Sequence, residues 1–296
     1  MRTVSTVAEL RAELTPARRR GETVGLVPTM GALHDGHLSL VRAARSQCDV
    51  VVVSLFVNPA QFNEAADLVA YPRDPAGDAE LLAAEGTDVL FAPSVEEVYP
   101  TGFATTVSVG ALTERLEGAS RGRAHFDGVT TMVSKLFNMV GPDVAYFGQK
   151  DAQQALVIRR MARDLNLPLT IEVRPTVRDA DGLALSSRNA LLSPTERERA
   201  TSLSRALAVM AEAAQAGERD GERLLAPARD ELLGSGVSPE YLELVDPDTL
   251  EPVTDVRGET LAVIAARLGS TRLIDNIVIH PVAAAPALVD GRERSA

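Results

Sequence analysis

The sequence predicts an α/β fold: a doubly wound, mainly parallel sheet followed by a smaller C-terminal α+β domain. Three observations carry that expectation. Short β-branched runs alternate with helix-patterned segments as far as Pro175, and this alternation implies right-handed crossovers between parallel strands. The run Asp49 to Phe56, DVVVVSLF, is apolar almost without a break, as a strand buried on both faces must be. Beyond Pro175 the pattern changes to two helices followed by three strand-like stretches.

The elements follow in order. Thr23 to Val27 is a short apolar strand closed by Pro28, and Leu38 to Ser46 has helical spacing, with Leu38, Val41 and Ala44 on one face. After the Asp49 to Phe56 strand, Asp74 to Glu85 reads as a helix that Gly86 stops. Val89 to Ala92 is a strand ended by Pro93, Gly128 to Met139 a helix, and Val144 to Phe147 a strand. Asp151 to Leu165 is a helix burying Ala155, Leu156, Ile158 and Met161, with Asp151 expected as its N-cap. Leu169 to Val173 is the next strand. The second part holds helices over Thr195 to Ala216 and Gly221 to Leu233, then strands over Glu240 to Val245, Thr260 to Ala266 and Thr271 to Val278. The division is expected at residue 175, giving domains over 1–175 and 176–284, with 285–296 as a flexible tail.

Composition narrows the function classes. Acidic residues number 41 against 30 basic ones, a net charge of −11, which argues against binding nucleic acid through its phosphates. No apolar run approaches the ~18 residues of a membrane span, and residues 1–20 lack the apolar centre of a secretory signal, so a cytoplasmic location is expected. Cys48 is the only cysteine, which excludes an intramolecular disulfide and a thiolate-rich zinc site. The lysines are Lys135 and Lys150 alone; every other basic residue is arginine. A lysine kept in such a composition suggests a site that needs a compact ammonium rather than a guanidinium.

Ligands of doubly wound sheets sit beyond the C-terminal ends of the strands, and chemistry-bearing residues cluster there. After the first strand comes PTMGALHDGH, comprising Met30, Gly31, Ala32, Leu33, His34, Asp35, Gly36 and His37, and a helix opens at once. Its glycines permit tight turns, its helix N-terminus suits an anion, and its two imidazoles can donate to phosphate oxygens. A metal reading of the two histidines lacks a nearby third ligand. After the second strand Asn58 and Gln61 offer amides that read hydroxyls and carboxylates without adding charge. After Phe147 come Gly148, Gln149, Lys150 and Asp151, then Gln153 and Gln154 on the first helical turn. Finally, Val177 opens a segment ending in Leu185, Ser186, Ser187 and Arg188, whose two hydroxyls and forked cation form a phosphate-binding set.

These four segments, in this order from Val24 to Asn189, closely resemble the pantothenate synthetase (pantoate–β-alanine ligase) family, part of the HxGH nucleotidylyltransferase superfamily. In the last of them Leu185 departs from the family wording, which usually has methionine there. The resemblance implies a Rossmann-like first domain and an ATP-dependent ligase that condenses pantoate with β-alanine through a pantoyl adenylate, releasing AMP and pyrophosphate. It implies an ATP site formed by Met30 to His37, Gly148 to Asp151, Val177 and Leu185 to Arg188, with His37, His34 and Lys150 as the catalytic groups. It places pantoate against Gln61 and Gln154, with Asn58 and Met30 beside them. It further implies Mg²⁺ with ATP, and a homodimer. Arg123, His125 and Phe126 resemble another family segment near the nucleotide or β-alanine. Tyr71 to Asp74 also matches and is read as structural. On the residues alone, a nucleotidylyltransferase that leaves AMP or CMP on its product is the rival reading.

Overall fold

The computed structural model describes residues 1–63 and 65–281. Among the described residues there is a six-stranded sheet, all its pairs parallel, and a three-stranded antiparallel sheet. The chain runs through β1 (Arg2–Val4), α1 (Val7–Arg20), β2 (Val24–Thr29), α2 (Asp35–Gln47), β3 (Val50–Leu55), α3 (Ala65–Ala70), α4 (Pro75–Ala84), β4 (Val89–Phe91), α5 (Val95–Val98), α6 (Glu117–Arg121), α7 (Arg123–Val140), β5 (Val144–Gly148), α8 (Ala152–Asp164) and β6 (Thr170–Arg174). Then come α9 (Pro194–Gln215), α10 (Gly221–Gly234), β7 (Pro239–Val245), β8 (Thr260–Leu268) and β9 (Thr271–Ile279). The tail expected over 285–296 lies outside the described residues.

The large sheet runs β1-β4-β3-β2-β5-β6. Its strands alternate their side chains between two cores, as a period of two requires. Val24, Leu26, Val52, Ala145 and Phe147 pack on one face with Leu10 and Leu14 of α1, and with α7 and α8. Val27, Val51, Val53, Leu90 and Tyr146 pack on the other with α2 and with Leu82 of α4. The β-branched strand is therefore apolar throughout because both of its faces are covered.

The C-terminal sheet repeats the logic. Ala262, Ile264 and Ala266 of β8 meet α9 and α10 in a core of their own. The intervening Leu261 and Val263 belong to the first core. One face of the small sheet thus rests on its helices and the other on the large unit.

Two differences from the sequence reading have clear causes. The helix expected from Gly128 starts at Arg123. Gly128 is not a boundary: a Cβ there would stand 2.3 Å from the Ala60 carbonyl oxygen, so it is where α7 presses on the turn after β3. The sequence reading has no counterpart for β1 and α1, although Thr6 and Glu9 form a reciprocal capping box at the start of α1.

Candidate active site

The strand order reverses between β2 and β5, and this switch point opens a cleft at the C-terminal ends of the strands. Chain leaving β2 turns sharply through Gly31 (φ +88°) and Ala32 (φ +51°). The buried carboxylate of Asp78 holds this turn, accepting the N–H groups of Ala32 at 2.9 Å and Leu33 at 2.8 Å. A Cβ at residue 31 would stand 2.9 Å from that carboxylate. Sequence reasoning missed Asp78, because an aspartate in the first turn of a helix reads as an exposed residue favoured by the helix dipole and carries no sign that it is buried.

The anchored turn delivers the two histidines. His34 caps α2, its Nδ1 accepting the Gly36 N–H at 3.2 Å, and His37 Nδ1 accepts the His34 N–H at 3.4 Å. A backbone N–H can only donate, so both Nδ1 atoms are unprotonated and each neutral ring keeps Nε2–H as its free donor. The ring centroids lie 4.1 Å apart. Burial, reinforced by the His34 ring, pushes the His37 pKa down to about 3. His34 is lowered by burial and then by the Lys150 charge. At neutral pH the pair is uncharged, with two N–H donors at the helix N-terminus.

At the end of β5, Gly148, Lys150, Asp151 and Gln154 line the same cleft. Lys150 is 17% exposed, and its nearest carboxylate is Asp151, 3.7 Å from Nζ. Asp151 stands at the N-cap position of α8 but makes no capping hydrogen bond, contrary to the sequence expectation. A 3-10 turn over Gln149–Asp151 runs straight into the helix, and the carboxylate turns to Lys150. Gln153 is buried and spent on structure: it donates to Leu112 and Arg115 carbonyls and accepts from the Glu117 N–H. Gln154 makes no side-chain hydrogen bond to the described residues, so its amide is free for a ligand.

Beyond β3, Gln61 is held rather than loose. Its Nε2 donates to Met30 Sδ at 2.8 Å and its Oε1 accepts from Asn58 at 3.0 Å, which leaves one donor and one acceptor for a ligand. Asn58, expected beside the acid, is 1% exposed and fully engaged: it accepts from Ala60 and Tyr99 and donates to Gln61 and the Gly128 carbonyl. Its amide positions Gln61. His125 Nδ1 lies 2.7 Å from the Gln61 carbonyl oxygen. That oxygen only accepts, so this ring has the opposite tautomer, with Nε2 as acceptor.

Val177, Leu185, Ser186, Ser187 and Arg188 complete the cleft wall. Ser186 caps a 3-10 turn through the Arg188 N–H, and Tyr71 lines the cleft beside this turn. Arg188 has no ion-pair partner among the described residues. Some expected site residues do not face the cleft: Gly31, Ala32 and Leu33 shape the turn, Asp35 pairs with Arg42 at 3.0 Å, and Gln149 bonds to Asn276. Arg123 bonds to Ser108, while Lys135 stacks over Phe103 at 4.5 Å, a packing role unrelated to the cleft.

A polar cluster that sequence reasoning missed closes the far end. Glu117, 7% exposed, accepts from Tyr241 (2.9 Å), Arg272 (2.7 Å) and Arg121 (2.8 Å). Burial alone would raise its pKa, but the Arg272 hydrogen bond and the Arg121 and Arg272 charges hold it at about 2. The folded carboxyl lies below its ordinary value of 4.5, so the stabilisation is present above that pH and is lost as the pH falls toward about 2. Glu117→Gln is expected to cost about 3 kcal/mol at pH 7, the usual penalty for removing one partner of a buried pair. Urea unfolding at pH 7 and at pH 3 checks this, and the difference from the parent chain should shrink at the lower pH.

A parallel sheet whose switch point gathers two N–H-donating imidazoles, a lysine and a Ser-Ser-Arg turn defines an HxGH-type nucleotide-using enzyme. Comparison with known proteins sharpens the class. Residues 2–278 match the family model described as pantoate-beta-alanine ligase. A pantothenate synthetase from Moorella thermoacetica is 54% identical over 281 residues, covering 95% of this chain and 99% of the relative. The crystal structure of pantothenate synthetase from Thermus thermophilus superposes with a TM-score of 0.90 at 50% identity, over 95% of this chain and 100% of that one. The Francisella tularensis pantoate-beta-alanine ligase, solved in complex with beta-gamma ATP and beta-alanine, has a TM-score of 0.79 at 33% identity, over 94% of this chain and 97% of that one. The chain belongs to the pantoate-β-alanine ligase family.

Proposed function

We propose that the cleft holds ATP with its triphosphate between the His34–His37 pair and the loops bearing Lys150 and Ser186 to Arg188, and pantoate against Gln61 and Gln154. A pantoate carboxylate oxygen attacks the α-phosphorus, the bond to the pyrophosphate oxygen breaks, and pyrophosphate leaves. The β-alanine amine then attacks the acyl carbon of the pantoyl adenylate. The nitrogen gives up a proton and AMP departs, leaving pantothenate.

The observation that carries this reading is a surplus of donors over acceptors. In a chain of net charge −11, Lys150 and Arg188 face one cleft. Lys150 meets its nearest carboxylate only at 3.7 Å, and Arg188 has no ion-pair partner among the described residues. Phosphoryl transfer needs positioning and charge neutralisation more than a reactive nucleophile. The pantoate carboxylate is already ionised at pH 7, so the histidines donate hydrogen bonds to developing charge rather than remove a proton. Gln61 and Gln154 present amides free to bind the acid. The Nε2 of His125 faces the same space as an acceptor.

Mg²⁺ enters this proposal with ATP. Among the described residues no group of three or more His, Cys, Asp or Glu side chains is placed to hold a metal. The carboxylate of Asp151 is the one at hand beside Lys150, and the bound ion would supply charge neutralisation across those oxygens. An acyl adenylate hydrolyses readily, so water must be kept out. The proposed lid is the second domain, expected over 176–284: it joins the large unit near Arg174 to Val177 and stays packed on it through Leu261 and Val263, so it shields the cleft without swinging as a body. Among the described residues no helix is long and apolar enough to cross a membrane. A homodimer and a cytoplasmic location belong to the same proposal, the first checked by sedimentation.

Exchange of labelled pyrophosphate into ATP tests the reading. Exchange is expected with pantoate in the absence of β-alanine. Exchange that required β-alanine, or that failed with pantoate, would remove the adenylate route.

A further inference from the structure

Two neighbouring residues of β9, Asp275 and Asn276, touch both phosphate-facing loops and belong to neither. Both are buried, at 4% exposure each, and both border the cleft. Asn276 Nδ2 donates to the main-chain carbonyls of Gln149 and Lys150, each at 2.9 Å. Its Oδ1 accepts from Gln149 Nε2 at 3.1 Å. Asp275 takes the Arg178 guanidinium in a two-pronged pair at 2.6 and 3.0 Å, and one of its oxygens also accepts the Asn276 N–H at 2.8 Å. Arg178 in turn donates to the Gly182 carbonyl, and the carbonyl of the residue before it, Val177, accepts the Leu185 N–H at 3.0 Å. One dipeptide on the C-terminal sheet thus ties the Lys150 turn of the large unit to the hairpin that presents Ser186, Ser187 and Arg188.

The register of the small sheet makes the tie rigid. Asp275 pairs with Ile264 and Asn276 with Val263 on the central strand β8. Val263 sits in the large unit's core and Ile264 in the small unit's own. Both residues are therefore held from behind by packed strands. Each polar atom of the pair that faces a loop meets a partner of opposite hydrogen-bonding sense. That is an expensive arrangement to build from buried polar groups unless the geometry it fixes is used.

We infer that Asp275 and Asn276 are positioning residues: together they set the separation between Lys150 and the Ser186–Arg188 turn, and so the span of the triphosphate grip. This rests on the reading of the cleft given under Proposed function. Neither side chain is taken to touch the nucleotide. Their effect is exerted through the Lys150 main chain and through Arg178. A phosphate chain bound by two loops that drift by about an ångström loses much of the benefit of orientation. The acid, held by Gln61 and Gln154 on other elements, is not affected in the same way.

The test is steady-state kinetics of the full chain carrying Asn276→Ala, Asn276→Asp or Asp275→Asn. For Asn276→Ala, KM for ATP is expected to rise at least tenfold and kcat to fall, while KM for pantoate stays within about twofold of the parent. Asn276→Asp keeps the shape but replaces the donor with an acceptor facing two carbonyls, and should be as impaired as the alanine variant. Asp275→Asn keeps one hydrogen bond to Arg178 and should be milder. Equal rises in KM for ATP and pantoate, or an unchanged KM for ATP, would overturn the inference. If Asn276→Ala does not fold, Gln149→Ala removes only the side-chain half of the tie, and it must shift KM for ATP in the same direction. The parent chain separates failure of the tie from failure of the cleft reading. Absence of pantoate-dependent pyrophosphate exchange in the parent would sink the reading of the cleft. A normal parent with an unaffected Asn276→Ala would sink only the tie.

Discussion

His37→Ala is expected to lower the rate of pantothenate formation by about 10²–10³-fold, the usual cost of losing one preorganised donor to developing charge. The fold should survive. The His37 ring makes one long hydrogen bond to the protein, 3.4 Å from the His34 N–H, and its removal leaves the Asp78 anchor of the same turn intact. The measurement is kcat for the full reaction beside thermal unfolding of the same preparation. His37→Gln offers an amide N–H in roughly the place of Nε2–H and should recover part of the loss. A general base would not be replaced by glutamine, so partial recovery separates a donor role from proton removal.

Lys150→Ala is expected to cost a similar factor of about 10²–10³, through loss of a cation at the phosphates. Lys150→Arg is the more informative change. Every other basic residue here except Lys135 is arginine, so if a guanidinium sufficed at position 150 nothing in the composition would oppose it. The lysine is mostly enclosed and 3.7 Å from Asp151, a space suited to a compact ammonium rather than a planar fork. Arginine at this position should leave the enzyme impaired by at least tenfold, with kcat falling more than KM for pantoate rises. Near-normal turnover of Lys150→Arg would mean that position 150 needs only positive charge.

Much of the site was legible in the sequence, for a physical reason. Parallel sheets place ligands at strand ends, and this alone singles out the residues after Val27, Phe56 and Phe147. His34, His37, Lys150, Gln61, Gln154 and the Ser186–Arg188 turn all face one cleft. The supports behind them were not legible. Asp78, Glu117, Arg178, Arg272, Asp275 and Asn276 are polar residues whose partners lie far along the chain. Glu117 and Arg272 are 155 positions apart, and Gln149 and Asn276 are 127. No local period distinguishes a buried, paired charge from one on the surface. Helix α1 escaped for a related reason: its inward residues Leu10, Leu14 and Ala17 are outnumbered by arginine and glutamate, and Pro16 stands inside it.

The fold itself was easier, because burial on two faces leaves its mark on composition. Strand β3 is β-branched at four consecutive positions. The apolar run of β8 reflects two different cores, its own helices on one side and the large unit on the other. What the run could not reveal is that this second face also carries Asn276, the partner of Val263, whose amide donates to the Gln149 and Lys150 carbonyls.

The most direct test of the whole account is the position of the α-phosphate in a crystal of the chain grown with a non-hydrolysable ATP analogue and pantoate. The phosphate is expected within hydrogen-bond reach of Nε2 of His34 or His37, with the outer phosphates against Lys150 and the Ser186–Arg188 turn, and a pantoate carboxylate oxygen facing the phosphorus. A nucleotide bound elsewhere, or one whose phosphates point away from Lys150, would contradict it.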